Sequence, residues 1–221
     1  PIAWNFIFED YQRNLTNAMA HDLKSPLMIL SGMAENLKEN VHTEKREYYA
    51  EEILKNIADM NRMIEQSLGF SKLSQTERLG KKTEVDMRAQ TDALLRKYKE
   101  LAEAQGQHIS VTGEGQMRGN EVMLRQMVDN LLQNAILHGE EDGQIEINIG
   151  NGTYQIRNTY TGTLTTEDAK KLLKPYAKEE DRKRTGGHGL GLSIVKEIVK
   201  LHRGKLELNV EYAVFEVSVR L

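Results

Sequence analysis

His21 and Asp22 are neighbours, and Ser25 follows the histidine by one helical turn. Apolar residues at Leu15, Met19, Leu23, Leu27, Leu30, Ala34 and Leu37 recur at helical spacing, so the segment reads as one amphipathic helix. Around that helix His21 stands roughly 200° from Met19 and Leu23, away from the apolar stripe. Ser25 shares its exposed face at i+4. A solvent-facing imidazole beside an acid is arranged to react, and packing does not explain it. Pro26 then interrupts the helix interior, where a proline removes one backbone hydrogen bond and costs about 3 kcal/mol. It reads as a hinge beside His21 or as a tolerated kink.

Two further groups have the types and spacing for phosphate and cation chemistry. Gly186-Gly187-His188-Gly189-Leu190-Gly191-Leu192 opens a predicted helix after a charged stretch. Glycines let backbone N–H groups approach a phosphate, and the helix N-terminus adds partial positive charge. The turn lacks the Lys-Ser/Thr of a P-loop and follows no strand, so taken alone it reads equally as a flexible loop with a helix cap. Asn130 and Asn134 lie at i and i+4 on one helix face. Alone they read as a polar face. Taken with the glycine loop they suit Mg²⁺, which accepts amide oxygens while keeping water and phosphate ligands.

The elements that must carry these groups fall into two sets. Residues 5–40 read as one long helix. The break at Asn40-Val41-His42-Thr43, with Thr43 as N-cap, leads to a second helix from Glu44 to Leu73. Its apolar positions Ala50, Ile53, Ile57, Met60, Ile64 and Leu68 are near-heptad and describe a bundle seam. One such hairpin cannot bury both stripes, so pairing with a second copy into a four-helix bundle completes it. Beyond a polar linker the pattern predicts helices at 86–105, 120–138, 166–173 and 190–201. Strands are predicted at 108–112, 116–118, 144–149, 154–158, 205–210 and 213–220, with Gly150-Asn151-Gly152 as a hairpin turn. The expected organisation is a helical hairpin over residues 1–76, a linker at 77–83 and an α+β sandwich over 84–221, its sheet mixed and mostly antiparallel.

Composition bounds the function. A formal net charge of −3 over 221 residues gives no reason to expect a nucleic-acid or anionic-membrane partner. No cysteine is present, so disulfides and thiolate metal sites are excluded. No apolar run approaches the roughly 18 residues that span a bilayer. The chain opens Pro1-Ile2-Ala3-Trp4 without an initiator methionine. It is therefore expected to be a soluble fragment of a longer protein.

Three separated segments resemble one family, the sensor histidine kinases of two-component systems. His21 to Leu27 is similar to the phospho-acceptor box, Asn130 to His138 resembles the N box, and Thr185 to Val195 resembles the second glycine box. Leu173-Lys174-Pro175-Tyr176-Ala177-Lys178 is a looser match to the F box. The resemblance implies a dimerisation and histidine-phosphotransfer hairpin followed by a Bergerat-fold ATP-binding domain. It implies autophosphorylation of His21 by ATP with Mg²⁺, then transfer to an aspartate in the receiver domain of a response regulator. Asp22 would orient the imidazole through Nδ1–H and leave Nε2 as nucleophile. Ser25 would position a hydrolytic water for dephosphorylating the regulator. Asn134 would hold Mg²⁺ with Asn130 in support. Gly187, Gly189, Leu190 and Gly191 would line the phosphates, with His138 near them. Tyr176 would pack the lid, and Lys178 would neutralise transferring charge. A homodimer is implied, as the cytoplasmic part of a protein anchored upstream in the cell membrane, with no membrane contact by this segment.

The chain departs from the family at its first glycine box, usually Asp-x-Gly-x-Gly. Here the stretch is Asn158-Thr159-Tyr160-Thr161-Gly162. Asn158 still offers a carbonyl oxygen to an adenine amino group, Gly162 keeps the second glycine, and Tyr160 needs more room than the glycine it replaces. Leu137 stands where a lysine is common. Two readings follow: an active kinase with unusual adenine contacts, or a degenerate kinase-like dimer that binds a regulator or partner without catalysis.

Overall fold

The structure is a computed structural model that describes residues 23–74, 81–174 and 189–221. The chain divides into two compact units, residues 1–72 and 73–221.

In the first unit, helix α1 is described over residues 23–38 and α2 spans Arg46–Ser74. The turn between them follows from local backbone chemistry. Val41 N–H donates to Asn36 O at 3.0 Å and Asn40 N–H to Leu37 O at 3.4 Å, the paired bonds of a Schellman motif. Asn40 takes the left-handed conformation this requires (φ 53°), which asparagine tolerates better than most residues. His42 is also left-handed and precedes a 3₁₀ turn over Thr43–Lys45. Thr43 is thus not a cap; it is the first residue of that turn, because the chain reverses through His42. Leu27, Ile57 and Ile64, all members of the expected stripes, stay 39–49% exposed in the single chain.

The second unit layers helices on one face of a five-stranded sheet. Its strands are β1 (Thr83–Asp86), β2 (His108–Gly113), β3 (Gln116–Gly119), β4 (Gln144–Gly150), β5 (Thr153–Thr159), β6 (Lys205–Glu211) and β7 (Val214–Arg220). The main sheet has the order β2-β4-β5-β7-β6, and β1 pairs with β3 in a separate ribbon. Only β2 and β4 run parallel within the main sheet. Alternation explains which face is covered. Ile145, Ile147 and Ile149 on β4, Tyr154 and Ile156 on β5, and Phe215, Val217 and Val219 on β7 are buried. The opposite face is polar, and Arg157 reaches Glu216 at 3.2 Å and Glu146 at 3.6 Å across it.

Helices α3 (Met87–Ala104), α4 (Glu121–His138), α5 (Thr166–Lys171) and α6 (Gly191–Leu201) complete the unit. α4 packs against α3, α6 and β5. Asp86 Oδ1 accepts from Ala89 N–H at 3.0 Å and Asn120 Oδ1 from Met123 N–H at 3.1 Å, capping α3 and α4. Thr165 and Asp168 form a capping box on α5. There the hydrogen bond from Lys171 and those from Thr165 hold the Asp168 carboxyl down at about 2. α5 is shorter than expected and ends at Lys171, where Leu172 N–H turns back to Ala169 O at 3.0 Å.

Candidate nucleotide site

Asn130 and the last glycine of the turn, Gly191, meet where α4 and α6 pack. Asn130 is buried, and its Nδ2 donates to Gln126 O at 2.8 Å. A methyl group placed on Gly191 would lie 3.5 Å from Asn130 Oδ1, so that oxygen faces the first turn of α6. Gly189 sits at φ 67°, a conformation that costs a residue with a side chain about 1–2 kcal/mol. Leu190 is fully buried and anchors the turn in the core, with Ser193 Oγ donating to its carbonyl at 2.8 Å. Whereas α3, α4 and α5 have side-chain caps, α6 has none. Among the described residues no side chain takes up its first-turn N–H groups, and the helix dipole favours an anion before Gly191.

Asn134 lies one turn further along α4 and is half-buried; among the described residues no hydrogen bond or ion pair engages its amide. His138 ends the helix, also half-buried. Among the described residues no three His, Asp or Glu side chains converge on a metal position. A metal held here would take amide oxygens from α4 and its remaining ligands from water and phosphate, a donor set that suits Mg²⁺. The residues present fit that ion.

The expected base-binding residues lie on β5 and the turn after it. Asn158 is buried, and its Nδ2 donates to Thr159 O at 3.0 Å, leaving Oδ1 to act as an acceptor. Tyr160 is only 3% exposed, with its ring inside the domain and 6.3 Å from that of Phe215. Its hydroxyl accepts from Leu164 N–H at 3.2 Å, while its backbone N–H donates to Ala213 O at 2.8 Å. A side chain on Gly162 would collide with the Tyr160 hydroxyl and ring. The room Tyr160 needs thus comes from Gly162.

Three braces around α4 carry no sequence signature. His202, at the end of α6, accepts from Asn120 N–H through Nε2 at 3.1 Å, so Nδ1 carries the proton and donates to Ile198 O at 2.7 Å. Burial, with a smaller contribution from Lys82, lowers the pKa of this imidazole below its ordinary value. A side chain on Gly119 would strike the ring, which is why a glycine precedes the cap. Gln107 Nε2 donates to Ile136 O at 3.0 Å and Glu140 O at 3.1 Å, holding the other end of α4. Tyr98 OH donates to Asp129 Oδ1 at 2.8 Å and ties α3 to the middle of α4.

Of the residues expected at the site, Asn130, Asn134, His138, Gly189, Leu190 and Gly191 lie on the paired helices α4 and α6 or the turn before α6. Asn158 and Gly162 lie at the β5 end. Ser25 is exposed on α1 in the other unit. His21, Asp22, Tyr176, Lys178 and Gly187 lie outside the described residues.

Residues 119–221 match the family of histidine kinase-, DNA gyrase B- and HSP90-like ATPases, which defines the class of the second unit. Residues 11–76 match the His Kinase A phospho-acceptor domain. With both matches in this order, the chain belongs to the sensor histidine kinases and is their catalytic core. Among curated relatives, the heme sensor protein HssS of Staphylococcus haemolyticus is 25% identical over 207 residues, covering 91% of this chain and 44% of that protein. The probable sensor protein PcoS of Escherichia coli is 28% identical over 220 residues, covering 94% and 46%. The chain thus spans less than half the length of these relatives. Among solved structures, the Acinetobacter baumannii histidine kinase AdeS superposes with a TM-score of 0.70 at 18% identity, covering 91% of this chain and 96% of that one. Histidine kinase ThkA in complex with response regulator protein TrrA gives 0.71 at 19% identity, covering 94% and 61%. These two share the fold.

Proposed function

We propose that this chain moves the γ-phosphoryl group of ATP onto Nε2 of His21 and that an aspartate of a response-regulator receiver domain then takes it. The observation that carries the reading is Asn130 Oδ1 facing the uncapped first turn of α6. An oxygen that suits a cation beside N–H groups that suit an anion is what a metal-bound polyphosphate requires. Mg²⁺ held by Asn134 with Asn130 would neutralise charge on the phosphate oxygens. Gly187, Gly189 and Gly191 give the backbone access to those oxygens, and Lys178 adds charge as the phosphoryl group departs. Leu190 keeps the turn seated, His138 stands at the α4 end near the phosphates, and Tyr176 would pack the lid. At the base, Asn158 Oδ1 accepts from the adenine amino group, and Gly162 belongs to the same turn.

At the acceptor, Asp22 holds Nδ1–H of His21 so that the Nε2 lone pair faces the γ-phosphorus. As the N–P bond forms, the bond from phosphorus to the β–γ bridging oxygen breaks and ADP leaves. The Nδ1 proton passes to Asp22. The N–P bond is then broken by attack of the regulator aspartate. Ser25, exposed on α1, is the residue to orient a water against the phosphorylated regulator. Leu27, Ile57 and Ile64 are a seam for a second copy, and we read the working form as a homodimer. ThkA, solved with a response regulator, supports that class of partner. No described helix is long and apolar enough to cross a membrane, and the relatives named as sensors are more than twice as long. We read the chain as the cytoplasmic segment of a membrane-anchored sensor.

The experiment is incubation with γ-labelled ATP and Mg²⁺, comparing the protein with its His21→Gln variant. Acid-labile, base-stable phosphate on the former and none on the latter is expected. No such phosphate on the wild-type protein would overturn the kinase reading in favour of the alternative, a partner-binding dimer without catalysis, whereas nucleotide binding without transfer would point to an inhibited fragment.

A further inference from the structure

We infer that Tyr160 is a positioning residue for the base end of the nucleotide site, and that Gly162 lacks a side chain to seat Tyr160 rather than to touch the ligand. The inference rests on the reading of Asn158 as the base acceptor. The segment from Tyr160 to Thr165 is the connection between β5, which carries Asn158, and α5. It is fastened at its start by Tyr160 N–H to Ala213 O at 2.8 Å. Beyond its end, Val210 N–H donates to Thr166 Oγ1 at 3.0 Å and that hydroxyl lies 2.9 Å from Asn209 Oδ1, so α5 is held to β6.

Between those two anchors Thr161, Gly162 and Thr163 are exposed. The Tyr160 hydroxyl accepts from Leu164 N–H at 3.2 Å and so spans this stretch from within. It turns the exposed residues into a closed loop whose floor is an aromatic ring packed on Phe215. A turn of small residues would need a ligand to hold it in one shape. Here the ring and its hydroxyl hold the shape beforehand, which lowers the ordering cost at the moment of binding. The side chain of Tyr160 points into the core, so the outward side of the turn stays open despite the bulk of the residue. Because Asn158 lies two residues before Tyr160 on the same strand end, the hydroxyl bond bears on the base and not on the phosphates.

The test separates the two ends of the ligand. A fluorescent ATP analogue is bound to the protein with Mg²⁺, then displaced by adenosine or by inorganic tripolyphosphate. Tyr160→Phe keeps the ring and loses the hydroxyl bond. It is expected to weaken adenosine about 3- to 10-fold, the effect of one hydrogen bond, with tripolyphosphate unchanged. Gly162→Ala is expected to weaken adenosine more strongly, and Tyr160→Gly in the same chain to recover part of the loss, because the collision partner is gone. Unchanged adenosine affinity in Tyr160→Phe overturns the inference, as does an equal loss for both competitors, which would mark a merely structural role. A wild-type protein that binds no analogue overturns the nucleotide reading itself, and a protein that binds it while Gly162→Ala is silent overturns only the role of Tyr160.

Discussion

The two ends of the candidate nucleotide site solve the same problem with opposite means. Among the described residues the α4–α6 end is open: an uncapped helix, a left-handed glycine and an amide oxygen turned toward them. The β5 end is closed on itself, with Asn158 bonded to Thr159, Tyr160 to Leu164 and Ala213, and a glycine that makes room for a ring. Phosphates are read by backbone and charge, which few residue types can supply, so the sequence there stays close to its family pattern. A base amino group needs one correctly held acceptor, and several scaffolds can hold it. On the proposed reading, the departure from the pattern at Asn158 and Tyr160 is a change of scaffold with the acceptor retained.

That contrast can be broken by mutation. The largest effect belongs to the open end: Asn134→Ala is expected to lower the rate of phosphate incorporation about 100-fold, the scale for losing one electrostatic stabiliser of a transferring group. Adenosine affinity should not move. If calorimetry shows adenosine weakened as well, the two ends are not independent.

A smaller effect is expected where the closed end leans on a strained support. Tyr212 and Ala213 in the β6–β7 turn both have positive φ, 50° and 61°, where asparagine and glycine are the favoured residues. Ala213→Gly should stabilise the domain by about 0.5–1 kcal/mol, relief of strain partly offset by glycine's greater freedom when unfolded. The bond from Tyr160 N–H to Ala213 O uses only backbone atoms and survives the change. Thermal melting should rise while adenosine affinity stays the same; a coupled change would sharpen the comparison by showing that turn strain reaches the base.

The gentlest effect is a slope with pH. His202 is buried neutral, with its pKa below the ordinary value, so the unfolded chain binds the proton more readily than the folded one. Stability should be flat above about pH 6.5 and decline as pH falls through the depressed value of the folded state. Protonation also turns Nε2 into a donor facing Asn120 N–H. His202→Gln should be less stable at neutral pH but show a shallower decline in acid, read by melting temperature against pH.

Much of this was legible beforehand, for physical reasons that differ by element. Alternation in Ile145, Ile147 and Ile149 and the Gly150–Gly152 turn announce β4 and β5, because a half-buried strand must alternate. Asn40 marks the interhelical turn because left-handed positions select few residues. β1 was not legible: four residues, of which only Val85 is buried, carry too little pattern. The parallel pairing of β2 with β4 depends on where α4 returns the chain, which no local pattern encodes. At the site, the asparagine pair and the glycines stood out because chemistry restricts them. The braces did not, because Gln107 and His202 act through hydrogen bonds to backbone atoms at the two ends of α4, far away in sequence. The relation between Tyr160 and Gly162 was hidden for another reason: each looked like a departure or a remnant until the ring was seen lying over the glycine.

The uncapped first turn of α6 has a thermodynamic consequence. In α3, α4 and α5 a side chain pairs with a first-turn amide whether or not a ligand is present. Among the described residues no side chain does so at the start of α6, and on the proposed reading a nucleotide bound there would bind the folded chain only. Occupancy is therefore linked to folding, and a ligand at about 100 times its dissociation constant adds about 2.7 kcal/mol to stability. On that reading the domain would report the nucleotide concentration around it through its own resistance to unfolding.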